Sequence, residues 1–256
     1  NGLHFAMAKE ALARGAHALI EKPFVVWPEE GRELLAISRS MNRVVAVNQP
    51  RRTLRNTLEL RNRQARGDFG ALRSIEHNEG NKLKWPFRAG AAFTPTAQRV
   101  GVIMDIGVHV LDTYQFLFKP KWTLESAIHD GFRGPEGLAE MVLAADGAPV
   151  SVTLSRYQKQ KNIARLTFDA CEITILLNDT TSYFEKRGGR TVRRRAPLPI
   201  EASTMSAGEI VLNNFVGAGE GREDALCGAE ESLPVIGLLD EVYRRATHFP
   251  MTLGTV

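Results

Sequence analysis

Cysteine is scarce in this chain, and long apolar runs are missing from it. Cys171 and Cys227 are the only cysteines among 256 residues, and no CxxC pair occurs. This spacing argues against a disulfide framework or a cysteine-based zinc site, and it favours a reducing compartment, so we expect a cytoplasmic protein. No apolar run approaches the roughly 18 residues that a membrane-spanning helix needs, so we expect no membrane partner.

The charge of the chain is moderately basic, with a formal net charge of +4. Two basic runs contribute to it, "RRTLRNTLELRNRQARG" at 51–67 and "RTVRRR" at 190–195. Nucleic acid or another polyanion is one interpretation of such runs. We favour solvated surface faces, because neither run carries the interleaved aromatic residues that stack on bases, and we expect no nucleic acid partner.

The pattern of helices and strands changes along the chain. In the first 50 residues helical and β-branched segments alternate, as in a parallel α/β sheet, at 3–14, 18–20, 28–42 and 44–47. Residues 122–196 have the pattern typical of strands, with turn signals at Asp146-Gly147 and Gly188-Gly189. Two further helices are predicted near 205–217 and 228–246. The sequence therefore predicts a short α/β unit and then an α+β domain with a large open, mainly antiparallel sheet.

One apolar segment carries an unexpected polar stripe. The stretch "MDIGVHVLD" at 104–112 lies in a predicted helix over 101–118. Asp105, His109 and Asp112 follow each other at i, i+4 and i+7, which places them on one helix face. Burying such charges is costly unless they are paired or line a wet cleft. The stripe is either a satisfied packing arrangement or a functional site.

Two motifs in this order resemble the Gfo/Idh/MocA oxidoreductases. The segment "HFAMAKEALARGAHALIEKP" at 4–23 resembles the end of that family's Rossmann domain, where a helix and a short strand lead into Glu-Lys-Pro. The segment "GVIMDIGVHVLDTYQFL" at 101–117 resembles its Asp-x-Gly-x-His-x-x-Asp motif. The resemblance implies that residues 1–50 are the C-terminal remnant of a Rossmann domain and that 51–256 form a substrate and oligomerisation domain.

The family's glycine-rich phosphate loop has no counterpart in this sequence. The run "GAGEG" at 217–221 does not fit G-x-G-x-x-G and lacks the strand–turn–helix context of that motif. We therefore expect an N-terminally truncated chain, a fragment of a longer protein. The acidic residue that would bind a ribose hydroxyl is also absent, so the cofactor implied by the resemblance is either NAD or NADP.

The resemblance implies hydride transfer between a nicotinamide and a hydroxyl-bearing carbon of a sugar or cyclitol. This chemistry needs a base for the hydroxyl proton and a positive donor at the developing alkoxide. His109 suits the base because its unperturbed pKa lies near neutrality. Lys22 suits the donor, and Asp105 either binds a substrate hydroxyl or tunes the imidazole, so these three are the candidate catalytic residues.

The resemblance implies further candidate site residues besides these three. The candidate cofactor-binding residues are Glu21, Lys22, Pro23 and Asn48. The candidate substrate-binding residues are Arg51, Arg52, Trp85 and Asp112, although Asp112 is better suited to structural support. Asp105 and His109 could instead ligate a metal, but no third ligand is suitably placed, and we expect no metal.

Other hypotheses remain open at this point. A redox-neutral use of the cofactor, such as glycoside cleavage, fits the same motifs. A non-catalytic module for ligand binding or self-association fits the missing phosphate loop. An open sheet also leaves one face uncovered, and exposed apolar faces usually mark interfaces, so we expect a homodimer or homotetramer joined through the sheet.

Overall fold

The structure is a computed structural model of the chain, and it describes residues 2–82, 99–131, 135–197 and 205–249. Trp85 lies outside the described residues. Among the described residues, no helix has both the length and the hydropathy that crossing a membrane requires.

The first part of the chain is a small parallel α/β unit. Its elements are α1 (His4–Ala13), β1 (Ala18–Glu21), α2 (Pro28–Met41) and β2 (Val45–Asn48). β1 and β2 pair in parallel, as the alternating pattern predicts. Pro28 begins α2, the Glu30 carboxylate accepts the backbone N–H groups of Val26 and Trp27, and Asn42 ends the helix in the left-handed conformation.

The described residues after β2 form one nine-stranded sheet and the helices that cover it. A 3-10 turn (Pro50–Thr53) leads into α3 (Arg55–Ala65) and β3 (Leu72–Gly80), and a π-helical turn (Ile103–Gly107) leads into α4 (Val108–Phe118). The remaining elements are β4 (Trp122–His129), β5 (Leu138–Ala145), β6 (Ala148–Ser155), β7 (Ile163–Phe168), β8 (Glu172–Leu176), β9 (Ser182–Arg187), β10 (Arg190–Arg195), α5 (Ala207–Gly219), α6 (Ala229–Arg245) and β11 (Thr247–His248).

The large sheet is mixed but mainly antiparallel, which confirms the predicted fold class. Its strand order is β10-β9-β8-β7-β3-β6-β5-β4-β11. Among the described strands of this sheet, only β3 with β6 and β4 with β11 pair in parallel. The tight turns at Asp146-Gly147 and Gly188-Gly189 form where predicted, and all four residues have the positive φ that such hairpin turns require.

One continuous apolar core joins the small unit to the large sheet. Leu12 of α1, Val47 of β2 and Leu143 of β5 all belong to it. The predicted domain boundary near residue 50 therefore stays a prediction. The sheet's other face is open as predicted, but its outward side chains are mostly polar; they include Glu76, Glu140, Ser151, Thr153 and Arg165.

Only scattered apolar side chains interrupt this polar outer face. Val142 and Leu176 are 44% and 42% exposed. Single exposed apolar residues are normal on a protein surface, so the expectation of an apolar open face is wrong. Assembly into a dimer or tetramer through this face stays a prediction.

A buried ion pair fixes α4 against the 3-10 turn and α6. Arg52 donates through Nε and Nη2 to the two oxygens of Asp112, both at 2.7 Å. Neither side chain is more than 1% exposed. Arg52 also donates to Glu231 on α6 at 2.8 Å, and Ser232 donates to Asp112 at 2.9 Å. Because every charge in this cluster is paired, its burial is tolerated.

We expect Arg52→Met to lower the free energy of unfolding by about 3–5 kcal/mol, because it leaves Asp112 buried without its partner. Urea unfolding of the chain measures this change. Arg32→Met removes an exposed pair with Glu29 and should cost less than about 1 kcal/mol. The double variant Arg52→Met/Asp112→Leu should regain most of the loss. Equal costs for the Arg52 and Arg32 variants would contradict the role of the buried pair.

Candidate active site

The carboxyl ends of β1 and β2 lie side by side, with Glu21 opposite Asn48. Asn48 Nδ2 donates to Glu21 Oε1 at 2.7 Å. Within the described residues, Asn48 Oδ1 and Gln49 Nε2 are buried without a hydrogen-bond partner. In parallel α/β sheets, ligands bind in the crevice outside the carboxyl ends of the strands. Unpaired polar atoms at this edge are therefore suited to a polar ligand.

Lys22 follows β1 and reaches the π turn before α4. Its Nζ donates to Asp105 Oδ1 at 2.6 Å and to the Asp105 backbone oxygen at 2.9 Å. Arg156, directly after β6, contacts the other carboxylate oxygen of Asp105. Asp105 thus binds two cations while its side chain stays 40% exposed, so the cluster is accessible to a ligand.

The surroundings of Lys22 lower the pKa of its ammonium group. Burial, together with the positive charges of Arg156 and Arg51, lowers the pKa of Lys22 to about 8, and Glu21 opposes this shift. The peptide bond between Lys22 and Pro23 is cis. At neutral pH the ammonium is still mostly charged, so Lys22 can both donate hydrogen bonds and exchange a proton.

His109 lies in the first turn of α4 and is held by Gln49. Its Nδ1 is 2.9 Å from Gln49 Oε1. An amide oxygen only accepts, so Nδ1 carries the hydrogen and Nε2 keeps a free lone pair. Burial, Arg51 and Lys22 lower the pKa of His109 to about 3. The imidazole is therefore neutral at physiological pH and can accept a proton at Nε2.

Arg51 is fixed beneath these groups by Glu79 at the end of β3. The guanidinium donates to both Glu79 oxygens, at 2.8 and 2.7 Å. His77 Nε2 lies 3.1 Å from Glu79, and its Nδ1 lies 2.8 Å from the Tyr114 hydroxyl. Burial opposes ionisation of Glu79, but the hydrogen bonds from His77 and Arg51 prevail and lower its pKa. Arg51 thus stays a fixed positive charge beside Lys22 and His109.

Glu136 holds the start of the segment that carries Asp105 and His109. Its carboxylate accepts the backbone N–H of Ile103 at 3.0 Å and the Tyr243 hydroxyl at 2.6 Å. Burial raises the pKa of Glu136. Gly101 packs so closely against this carboxylate that a Cβ atom at position 101 would lie 2.1 Å from Glu136 Cδ. The π turn therefore begins from a rigid, tightly packed position.

Most of the predicted site residues gather at the carboxyl ends of β1 and β2, and this group is called the crevice. Its members are Glu21, Lys22, Asn48, Arg51, Asp105 and His109; hydrogen bonds link Lys22 to Asp105 and Glu21 to Asn48, and the charges of Lys22 and Arg51 act on His109. Pro23 is buried beside it, and its carbonyl accepts a hydrogen bond from His4 at 2.8 Å. Among the described residues, no three His, Cys, Asp or Glu side chains group as metal ligands would.

Arg52 and Asp112, two candidate substrate ligands, lie elsewhere. They are fully buried in their mutual ion pair, so the structure places them under the site as support rather than in the crevice. The predicted stripe therefore ends at His109. His109 and Asp112 lie three residues apart in α4, about 60° around the helix axis, and Asp112 is turned into the core toward Arg52.

Sequence reasoning missed Gln49, Glu79 and Arg156. Each is a polar residue at or directly after the end of a strand, namely β2, β3 and β6. That position was the available signal, because strand ends at one sheet edge gather side chains from distant parts of the chain. β3 and β6 run in parallel, so Glu79 and Arg156 emerge at the same edge.

We expect His109 to remain a neutral imidazole, protonated at Nδ1, down to about pH 4, because burial and two nearby cations oppose its protonation. The ¹⁵N chemical shifts of the ring during a pH titration measure this. Gln49→Glu is the matched variant, and its added carboxylate should raise the pKa of His109 by about one unit or more. A ring that titrates near pH 6.5 in the unchanged protein would contradict this account.

Comparison with known proteins places this geometry in a family. The description "Oxidoreductase family, NAD-binding Rossmann fold" (GFO_IDH_MocA) matches residues 1–49, and "GFO/IDH/MocA C-terminal domain" matches residues 57–175. The UDP-N-acetylglucosamine 3-dehydrogenase of Acidithiobacillus ferrooxidans is 34% identical over 109 residues, which are 43% of this chain and 30% of that protein. The matches span 30% to 43% of the first curated relatives.

Solved structures share the fold at lower identity. An aldose-aldose oxidoreductase from Caulobacter crescentus, complexed with glycerol, superposes with a TM-score of 0.81 at 19% identity, covering 95% of this chain and 74% of that one. An inositol dehydrogenase homolog from Azotobacter vinelandii, complexed with NADH and myo-inositol, gives 0.80 at 18% identity, covering 95% and 73%. Two matched domains in the family's order confirm the predicted resemblance, and the chain belongs to the Gfo/Idh/MocA oxidoreductase family.

Proposed function

We propose that this protein is a nicotinamide-dependent oxidoreductase acting on a hydroxyl-bearing carbon of a sugar or cyclitol. The observation that carries the proposal is the convergence of Lys22, Asp105 and His109 at one strand-end crevice. A half-buried ammonium, a carboxylate and a neutral imidazole are the groups that alcohol oxidation or ketone reduction requires. The family assignment and the named sugar dehydrogenases among its relatives support the same reaction class.

The residues at the crevice fit a nicotinamide cofactor, NAD or NADP. Glu21 and Asn48 end two parallel strands, and the buried oxygen Asn48 Oδ1 and nitrogen Gln49 Nε2 lack partners among the described residues. A ligand with a polar amide could pair with both kinds of atom. When bound, the nicotinamide supplies the hydride-transfer chemistry. Glu21, Lys22, Pro23 and Asn48 are the residues that we propose hold it.

His109 acts in this proposal as the general base. Its Nε2 accepts the hydroxyl proton during oxidation and returns it during reduction. Gln49 keeps the ring in the tautomer that leaves Nε2 free. Burial keeps the resting imidazole neutral and therefore ready to accept the hydroxyl proton, which it must release again before the next oxidation.

Lys22 stabilises the oxygen from which the proton leaves. Its ammonium donates a hydrogen bond toward the developing alkoxide, and partial burial strengthens that interaction. Asp105 holds Lys22 in place through its carboxylate and backbone oxygens. Burial is the main reason that His109 stays unprotonated, and the positive charge of Arg51, which Glu79 holds in place, adds to this effect.

We expect His109→Ala and Lys22→Met each to lower kcat by about 10²–10⁴-fold, because each removes a proton-transfer or charge-stabilising group. Absorbance of the reduced nicotinamide across a panel of sugars and cyclitols measures turnover. The binding of NADH, measured by fluorescence, should persist in His109→Ala. Lys9→Met is the matched control, since Lys9 forms an exposed pair with Glu33 outside the crevice. Loss of activity in that control as well would contradict the assignment.

The pH dependence of kcat/KM should report Lys22. Because the pKa of Lys22 is about 8, its ammonium loses its proton above that pH, and kcat/KM should fall there. No inflection is expected near 6.5, because His109 is already neutral. Arg156→Gln removes one of the charges that lower the pKa of Lys22, so the falling limb should move to higher pH. A limb that stays unchanged in this variant would argue against Lys22 as its source.

A further inference from the structure

Arg156 is a part of the site that hydride transfer does not require. It lies directly after β6, and its backbone N–H bonds to the Gly137 oxygen at 2.7 Å, so its position is fixed. Its side chain is 29% exposed. Among the described residues, its guanidinium contacts only the Asp105 carboxylate. Arginine has five N–H donors in a planar fork, so most of them remain for a ligand.

The charges around Arg156 leave a positive surplus. Among the described residues, the three cations Lys22, Arg51 and Arg156 form ion pairs with two carboxylates, Asp105 and Glu79. Glu79 is fully engaged by both nitrogens of Arg51 and by His77. Asp105 is shared between Lys22 and Arg156, so it neutralises one of them at most.

The remaining nearby carboxylate does not remove this surplus. Glu21 is exposed and already accepts a hydrogen bond from Asn48. Water and salt screen exposed charges strongly, whereas the half-buried cations of the crevice are screened less. Burial is the main cause of the lowered pKa of Lys22, and the charges of Arg156 and Arg51 add to it while Glu21 opposes it.

The loop after Arg156 extends the positive character to the rim of the site. The segment "RYQKQKN" at 156–162 contains two further lysines, Lys159 and Lys161, and no acidic residue. Both lysines are exposed. The backbone N–H of Gln160 bonds to the Gly80 oxygen at 2.9 Å, so the loop lies against the end of β3, next to Glu79. Asp130 interacts with Tyr157 of the same loop, so the two exposed lysines stand beside one acidic group.

We propose that the site takes a sugar derivative that carries an anionic group, a carboxylate or a phosphate, and that Arg156 binds this group. The proposal rests on the proposed function and names its substrate class. Arginine matches carboxylate and phosphate oxygens with two parallel hydrogen bonds, and such charge-assisted pairs are about twice as strong as neutral ones. Asp105 holds the guanidinium in place at its other edge. A neutral sugar would leave the surplus charge of the crevice without a partner.

Calorimetric titration of the chain with three probes tests the proposal without turnover. D-Glucose is the neutral probe, D-glucuronate supplies a carboxylate, and UDP-glucose supplies phosphates. We expect at least one anionic probe to bind at least tenfold more tightly than glucose at low salt. Preference for glucuronate alone identifies a carboxylate, and preference for UDP-glucose alone identifies a phosphate. Equal affinity for all three, or tighter binding of glucose, would overturn the proposal.

Variants of Arg156 test its role directly. We expect Arg156→Gln to reduce the anionic-to-neutral ratio of affinities at least tenfold and Arg156→Lys to restore part of it, which a folding defect would not do. Arg165→Gln is the control, because it removes the same charge on the outer face of the sheet, where Arg165 pairs with Glu76. If Arg156→Gln weakens the binding of neutral and anionic probes equally, Arg156 does not recognise the anionic group. Absence of nicotinamide turnover with every sugar would instead contradict the proposed function, and the affinity ratio would still stand.

Discussion

The buried ion pair between Arg52 and Asp112 is the constraint on which the site depends. It fixes α4 against the chain segment that follows β2, and both side chains are nearly inaccessible to solvent. His109 lies one turn before Asp112 on the same helix, and Gln49 lies three residues before Arg52. The hydrogen bond between His109 and Gln49 is therefore set by the same two elements that the ion pair joins. The ion pair and the hydrogen bond to the candidate base therefore connect the same two segments, α4 and the chain that follows β2.

A second theme is the control of charge in a half-buried crevice. Arg51, anchored by Glu79, lies close enough to Lys22 and His109 to lower the pKa of both. Two carboxylates therefore organise three cations, and the imidazole stays neutral among them. This arrangement suits a base that must be unprotonated and a donor that must be charged at the same pH. It is also the basis of the proposed preference for a substrate with a negatively charged group.

Local patterns predicted the order of the elements, the mainly antiparallel sheet and the family, because helix periodicity, hairpin turns and two spaced motifs are local signals. Partners from distant segments were not predictable in that way. Glu79 and Arg156 reach the crevice only through the parallel register of β3 and β6, which no local pattern encodes. Asp112 was not predicted to be buried, because its ion pair with Arg52 joins residues 60 positions apart, which helix periodicity does not encode. The polar outer face was not predicted, because the alternation of apolar and polar residues was considered in single strands and not over the whole sheet.

The central claim is that the crevice carries out hydride transfer at a hydroxyl-bearing carbon. The most direct measurement supplies the protein with oxidised nicotinamide cofactor and with glucose, glucuronate and myo-inositol deuterated at carbon, and then analyses the recovered cofactor by mass spectrometry. The account predicts deuterium in the reduced nicotinamide with the unchanged protein and a loss of at least about 10²-fold in its rate of appearance with His109→Ala. A cofactor recovered without deuterium from every sugar, or equal transfer by the His109 variant, would contradict it.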